Sequence, residues 1–113
     1  MPRDARAYPW DALQAADLLN EFGAGEDFAS YQRDAKLRSA VERQLEIIGE
    51  ALNQLSKVDS ELAAQVPDLG RIVAFRNILI HGYAAVDDAL VWQVLTDRLP
   101  DLTAVIRRLL AEQ

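Results

Sequence analysis

Apolar positions along this chain recur at intervals of three and four, the period of α-helices with one buried side. The clearest run is Val41, Leu45, Ile48, Leu52 and Leu55, which predicts a long helix over residues 34–56. Leu37 extends this seam upstream, and Ile47 and Ala51 widen it, so the helix is expected to touch more than one neighbour. Gly49 lies in its middle at a cost of about 1 kcal/mol relative to alanine. A close approach by another helix would account for it.

The flanking segments follow the same rule. Leu13, Ala16, Leu19 and Phe22 mark a first helix, with Asp4 as its candidate cap and Pro9 tolerated in its first turn. Gly23-Ala24-Gly25 ends it. In the connector, residues 26–32, Phe28 and Tyr31 suggest one helical turn that plugs the core. After the long helix, residues 58–66 read as an amphipathic link capped by Asp59 or Ser60 and closed by Pro67. A third helix runs from residue 68 or 69 to 80, with Leu69, Ile72, Val73, Arg76 and Ile80 on one broad face and Gly82 as its stop. Asp87 or Asp88 starts a fourth, carrying Leu90, Val91, Trp92, Val94 and Leu95. Pro100 breaks or kinks it, and Leu102, Val105, Ile106, Leu109 and Leu110 form the last stripe. No segment shows strand alternation. The fold class is all-α, an antiparallel four- to five-helix bundle in one domain, residues 1–113.

Composition narrows the chemistry. The chain has 113 residues and no cysteine, which excludes disulfides and thiolate metal sites and fits a reducing, cytoplasmic setting. No apolar run approaches the roughly 20 residues of a membrane span, and the N-terminus lacks the apolar core of a signal peptide. A formal charge of −6 argues against non-specific coating of nucleic acid. One stretch runs the other way: Arg33, Lys36, Arg38 and Arg43 face only Asp34 and Glu42. It is a candidate basic border to a site, or simply a solvated helix face.

The polar groups that stand out are in Arg76-Asn77-Ile78-Leu79-Ile80-His81-Gly82-Tyr83, which holds the one histidine of the chain. Histidine takes and gives a proton near neutral pH, and arginine binds phosphate oxygens in a fork. Beside a phosphodiester such a pair can assist attack by an adjacent ribose 2′-hydroxyl, leaving a 2′,3′-cyclic phosphate and a 5′-hydroxyl without a metal. Asn77 could add a donor near the phosphate. On an ideal helix, residues five apart diverge by about 140°. The helix end at Gly82 could free the His81 ring, Arg76 could reach past a turn, or a second copy could complete the cluster. A lone histidine at a helix C-terminus is most often structural, so spacing alone is a weak signal. Glu42, Glu46 and Glu50 line one stripe, but no Glu-x-x-His motif accompanies them and no metal or other cofactor is expected.

Taken together, three blocks resemble the HEPN superfamily, and within it the HepT-like ribonucleases (the DUF86 family). They are residues 42–51 (Glu-Arg-Gln-Leu-Glu-Ile-Ile-Gly-Glu-Ala), the Arg-x4-His-x-Tyr motif of Arg76, His81 and Tyr83, and Val86-Asp87 followed by Val91-Trp92. With Phe28 and Asp34 the match covers about residues 4–110. The resemblance implies homodimers whose two motifs face each other in a shared cleft. It implies a metal-independent endoribonuclease toxin whose partner is an MNT-type nucleotidyltransferase antitoxin, which silences it by transferring AMP to the motif tyrosine. Carried over, Arg76 and His81 are catalytic and Tyr83 is the modified residue; beside them, Asn77 and Arg43 are expected to bind the RNA substrate. An alternative reading is a non-catalytic helical module that docks such a nucleotidyltransferase. One departure is that Pro67 is followed by Asp-Leu-Gly where many relatives carry a tryptophan.

Overall fold

The computed structural model describes residues 3–82 and 85–112. Among them are seven α-helical segments and no strand: α1 (Ala7–Gly23), α2 (Phe28–Arg33), α3 (Ala35–Val58), α4 (Ser60–Ala63), α5 (Leu69–His81), α6 (Asp88–Gln93) and α7 (Leu99–Ala111). A π turn, Val94–Arg98, joins the last two. The architecture is an all-α helical bundle. Helix α3 is its axis, packed along α1 on one side and α5 on another, while α7 lies against α1.

The seam that predicts α3 is the one that is buried. Val41, Leu52 and Leu55 are fully covered, and Leu45, Ile48 and Ala51 nearly so. Each such Leu or Ile contributes about 1.5–3 kcal/mol by leaving water. They meet Pro9, Ala12, Ala15, Ala16 and Leu19 of α1. Alanines on that face let two long helices approach closely. Leu13 and Phe22, expected on the buried stripe, sit at its edge, half-covered.

Four helices begin on an aspartate whose carboxylate accepts a backbone N–H: Asp27 at α2, Asp34 at α3, Asp59 at α4 and Asp87 at α6. Such a cap is worth about 1 kcal/mol. At α2 it is reciprocal, since Ser30 Oγ also accepts the Asp27 N–H at 2.9 Å. Asp4 is not the cap of α1. Its carboxylate accepts the Arg6 N–H at 2.9 Å, closing a turn one step before the helix, and Arg6 takes the N-cap position without capping the helix through its side chain, which bonds Asp4 instead. Tyr31 does plug the core: it is fully buried, with its ring 5.2 Å from that of Trp92 on α6.

One feature departs from the sequence pattern. Helix α5 has Leu79 as its one buried residue, while Leu69, Ile72, Val73, Phe75 and Ile80 are half-covered and Ile78 is 50% exposed. Pro100, expected to break or kink its helix, stands in the first turn of α7, and the α-helical bonding is interrupted just before it. Lacking an N–H, it cannot bond the carbonyl of Thr96, and the preceding residues relax into the π turn, where the Leu99 N–H reaches Val94 O. Among the described residues no helix is long and apolar enough to cross a membrane.

Candidate functional site

The site is built where α5 crosses α3 at Gly49. A Cβ placed there would lie 2.3 Å from Arg76 Cβ and 2.8 Å from its Cγ. Only glycine leaves room for the Arg76 stem to lie on α3, which accounts for a helix-weakening residue in mid-helix. The Arg76 side chain is 24% exposed, and its guanidinium emerges beside the next residue, Glu50. Nη2 pairs with Glu50 Oε2, and Nη1 donates to Asn77 Oδ1 at 2.8 Å. Gln54 Nε2 in turn donates to the other Glu50 oxygen at 3.2 Å. Arg76 Nε is buried without a partner among the described residues. The pair is partly exposed, so its share of stability is about 1 kcal/mol or less. Its effect is geometric, fixing the fork of a long side chain while leaving some of its five N–H groups unused.

His81 is the last residue of α5 and is exposed. The helix runs unbroken from Arg76 to His81, so the two side chains leave it about 140° apart and about 7.5 Å along the axis. No hydrogen bond joins them. Of the ways to bring them together, the release of His81 from the helix grid is therefore absent here. Gly82 stops α5 as expected but with φ −102°, outside the left-handed region. Tyr83 lies outside the described residues. Asn77 is drawn into the site through its bond to Arg76. Arg43 stands apart: 67% exposed and 3.3 Å from Glu46, it precedes Glu50 by seven residues, about 10 Å along α3.

The basic stretch at the start of α3 does not border Arg76 as a unit. Lys36 is about 20 Å from Glu50 along the helix. Arg38 is held by the Gln32 carbonyl and faces Asp88 at 4.0 Å. Nearby, burial first, and then the Asp88 and Glu46 charges, raise the Glu42 carboxyl above its ordinary range, while Arg38 opposes them. Basic charge closer to the site comes from α5 itself, which carries Arg71 with Arg76 and no acidic residue. Glu50, one of a stripe whose sequence reads as a solvated or interface face, is the anchor of Arg76; the glycine beside it was the available sign. Among the described residues no group of three or more potential metal-binding side chains comes together.

A sequence model of the family described as "Ribonuclease HepT-like" matches residues 12–109. The chain belongs to the HepT-like ribonuclease family. It is 35% identical over 100 residues to a protein of Methanocaldococcus jannaschii named "Putative RNase MJ1380", covering 88% of this chain and 91% of that protein. It is 32% identical over 108 residues to "Putative RNase TTE0752" of Caldanaerobacter subterraneus subsp. tengcongensis, with 96% of each chain covered. It is 31% identical over 109 residues to "Probable ribonuclease HepT" of Thermococcus cleftensis, covering 96% of this chain and 98% of that one. No solved structure matches the chain.

Proposed function

We propose that this member of the HepT-like family is a metal-independent endoribonuclease that works as a homodimer, the toxin of a toxin–antitoxin pair. The observation that carries the reading is the geometry of α5. It holds Arg76 braced for an anion by Glu50 and Asn77, and His81 exposed on another side of the same helix. One chain does not converge the two groups; a second copy can. The exposed stripe Gly70, Ala74, Ile78 and His81 recurs at helical spacing, and a Cβ on Gly70 would meet nothing within 4 Å. Small and apolar residues on an exposed stripe suit close packing against an identical helix.

In this mechanism Arg76 donates to the non-bridging oxygens of the scissile phosphate. The substrate's 2′-hydroxyl attacks phosphorus, and the bond to the 5′-oxygen breaks. His81 moves the proton between the attacking and leaving oxygens, giving a 2′,3′-cyclic phosphate and a 5′-hydroxyl. Asn77 orients Arg76 and turns its amide N–H groups toward the substrate, and Arg43 meets the RNA further along α3. Tyr83 is the acceptor of AMP from a nucleotidyltransferase antitoxin, its hydroxyl displacing pyrophosphate from ATP. A phosphate-bearing group beside Arg76 and His81 would fill the anion site and repel RNA.

The test is RNA cleavage in EDTA by protein whose Tyr83 is shown by mass spectrometry to be unmodified. Wild type is expected to cut, and Arg76→Ala and His81→Ala are expected to be inactive but folded. A site shared across a two-fold axis adds a sharper outcome. Mixing the two inactive variants should restore about a quarter of the activity, because about half the dimers are mixed and each carries one intact site. Cleavage that survives His81→Ala would refute the catalytic assignment, and no rescue on mixing would refute the shared site.

A further inference from the structure

Glu50 has a second face. Besides bracing Arg76, it lines a groove of about 480 Å³ between α1 and α3. The acidic groups of this groove are already matched, Glu50 by Arg76 and Asp11 by Arg3 at 2.7 Å. Its walls carry the Tyr8 ring, with the Arg3 guanidinium 5.0 Å from its centroid, and three glutamine amides, Gln14, Gln44 and Gln54. Gln54 gives one amide N–H to Glu50, which leaves its second N–H to donate and its carbonyl oxygen to accept. Gln14 and Gln44 have no hydrogen-bond partner among the described residues. The floor is apolar, with Ile47.

Arg3 and Arg43 of the lining are paired in turn, with Asp11 and Glu46, so the groove presents no spare positive charge to a phosphate. An aromatic ring with neutral donors and acceptors suits a flat, uncharged heterocycle that hydrogen-bonds along its edge. Arg43 lies at the same groove, and Arg76 adjoins its Glu50 end, so a chain of phosphates can pass outside while a base turns in. We infer that the α1–α3 groove is a nucleobase subsite, which selects the RNA base next to the phosphate held by Arg76. This rests on the ribonuclease reading above, but its binding test does not require cleavage.

The experiment titrates 15N-labelled protein with the four free ribonucleosides, with inorganic phosphate, and with dinucleotides made uncleavable by a 2′-deoxy sugar. The side-chain amide signals of Gln14, Gln44 and Gln54 are followed. The expected result is movement of these signals with one base preferred over the others. Dinucleotide binding is expected to be at least about tenfold tighter than nucleoside binding, one charged contact being worth that much. Tyr8→Leu and Gln14→Leu, both on α1 and away from Arg76, should each weaken the preferred dinucleotide by about tenfold and flatten the base preference in cleavage. Silent glutamine signals with every base would overturn the inference even if wild type cuts RNA. An equal response to inorganic phosphate would also overturn it, and nucleoside binding as tight as dinucleotide binding would refute RNA as the source of the base. Failure of the ribonuclease reading shows separately, as absent cleavage by unmodified wild type.

Discussion

Gly49→Ala sets two known effects against each other at one atom. Alanine in place of a mid-helix glycine gains about 1 kcal/mol of helix propensity. Against it, the new methyl would sit 2.3 Å from Arg76 Cβ and 2.8 Å from Cγ, with Ile72 O at 3.5 Å. The Ile72 O distance is ordinary contact, but Cβ is the rigid base of the Arg76 side chain, so no rotamer change relieves that clash and α5 must move away from α3. Overpacking of this kind costs about 1–3 kcal/mol. Parting the helices also loosens the partly exposed Arg76–Glu50 pair, for roughly another 0.5 kcal/mol. The expected net is a loss of about 0.5–2.5 kcal/mol, or very roughly 2–10 °C in Tm for a domain of this size. Urea unfolding at unchanged m value measures it, and the Arg76 Nε–H resonance reports whether the guanidinium has moved. Gly70→Ala is the control on α5, since a Cβ there meets nothing within 4 Å. A Gly49→Ala protein as stable as wild type, with an unmoved Arg76 signal, would refute the reasoning.

Three further outcomes follow from particular side chains. The Tyr31 hydroxyl is buried without a partner among the described residues, and burial pushes its pKa up, so Tyr31→Phe should gain about 1 kcal/mol in thermal or urea unfolding; a loss would show that the hydroxyl is satisfied. Glu42 has a raised carboxyl pKa, so its charged form is disfavoured in the fold and works against stability above that pKa. Glu42→Gln should therefore raise Tm at neutral pH, with the gain shrinking as the wild-type carboxyl protonates in acid; a gain that is constant with pH would exclude charge as the cause. Arg71→Gln should reduce the salt slope of RNA binding by about one, while Lys36→Gln, about 20 Å from Glu50, should leave it unchanged; the reverse ranking would place the RNA on the start of α3.

The axis of the fold was legible because its signal is local and repeated. Five apolar residues at alternating spacings specify α3, and Asp34 and Asp59 cap it and its successor within three residues of the N–H they accept. What depends on distant partners was not. Glu50 and Arg76 are 26 residues apart, and the stripe Glu42, Glu46, Glu50 gives no hint that one member turns to another helix. The half-buried state of α5 was likewise invisible, since its apolar content suits a covered helix and only the packing shows how little of it α3 covers. Arg76 and His81 stood out by residue type alone. That they diverge could be worked out only once α5 was seen to continue through His81. The Asp4 cap failed for a simpler reason: the same carboxylate that can start a helix can also close a turn, and here it does so with Arg6.

The π turn before α7 changes how the chain tolerates a change in length. Its bonds span five residues rather than four, as from Leu99 N–H to Val94 O, so it holds about one residue more than an α turn would need. Removing one residue from 94–98 would let that turn tighten to α geometry while α6 and α7 keep their orientation. The same deletion in the middle of α3 would rotate everything beyond it by about 100°, taking Leu52 and Leu55 off the seam and, if made before Glu50, Glu50 away from Arg76. The last helix carries a residue of slack, and the central one carries none.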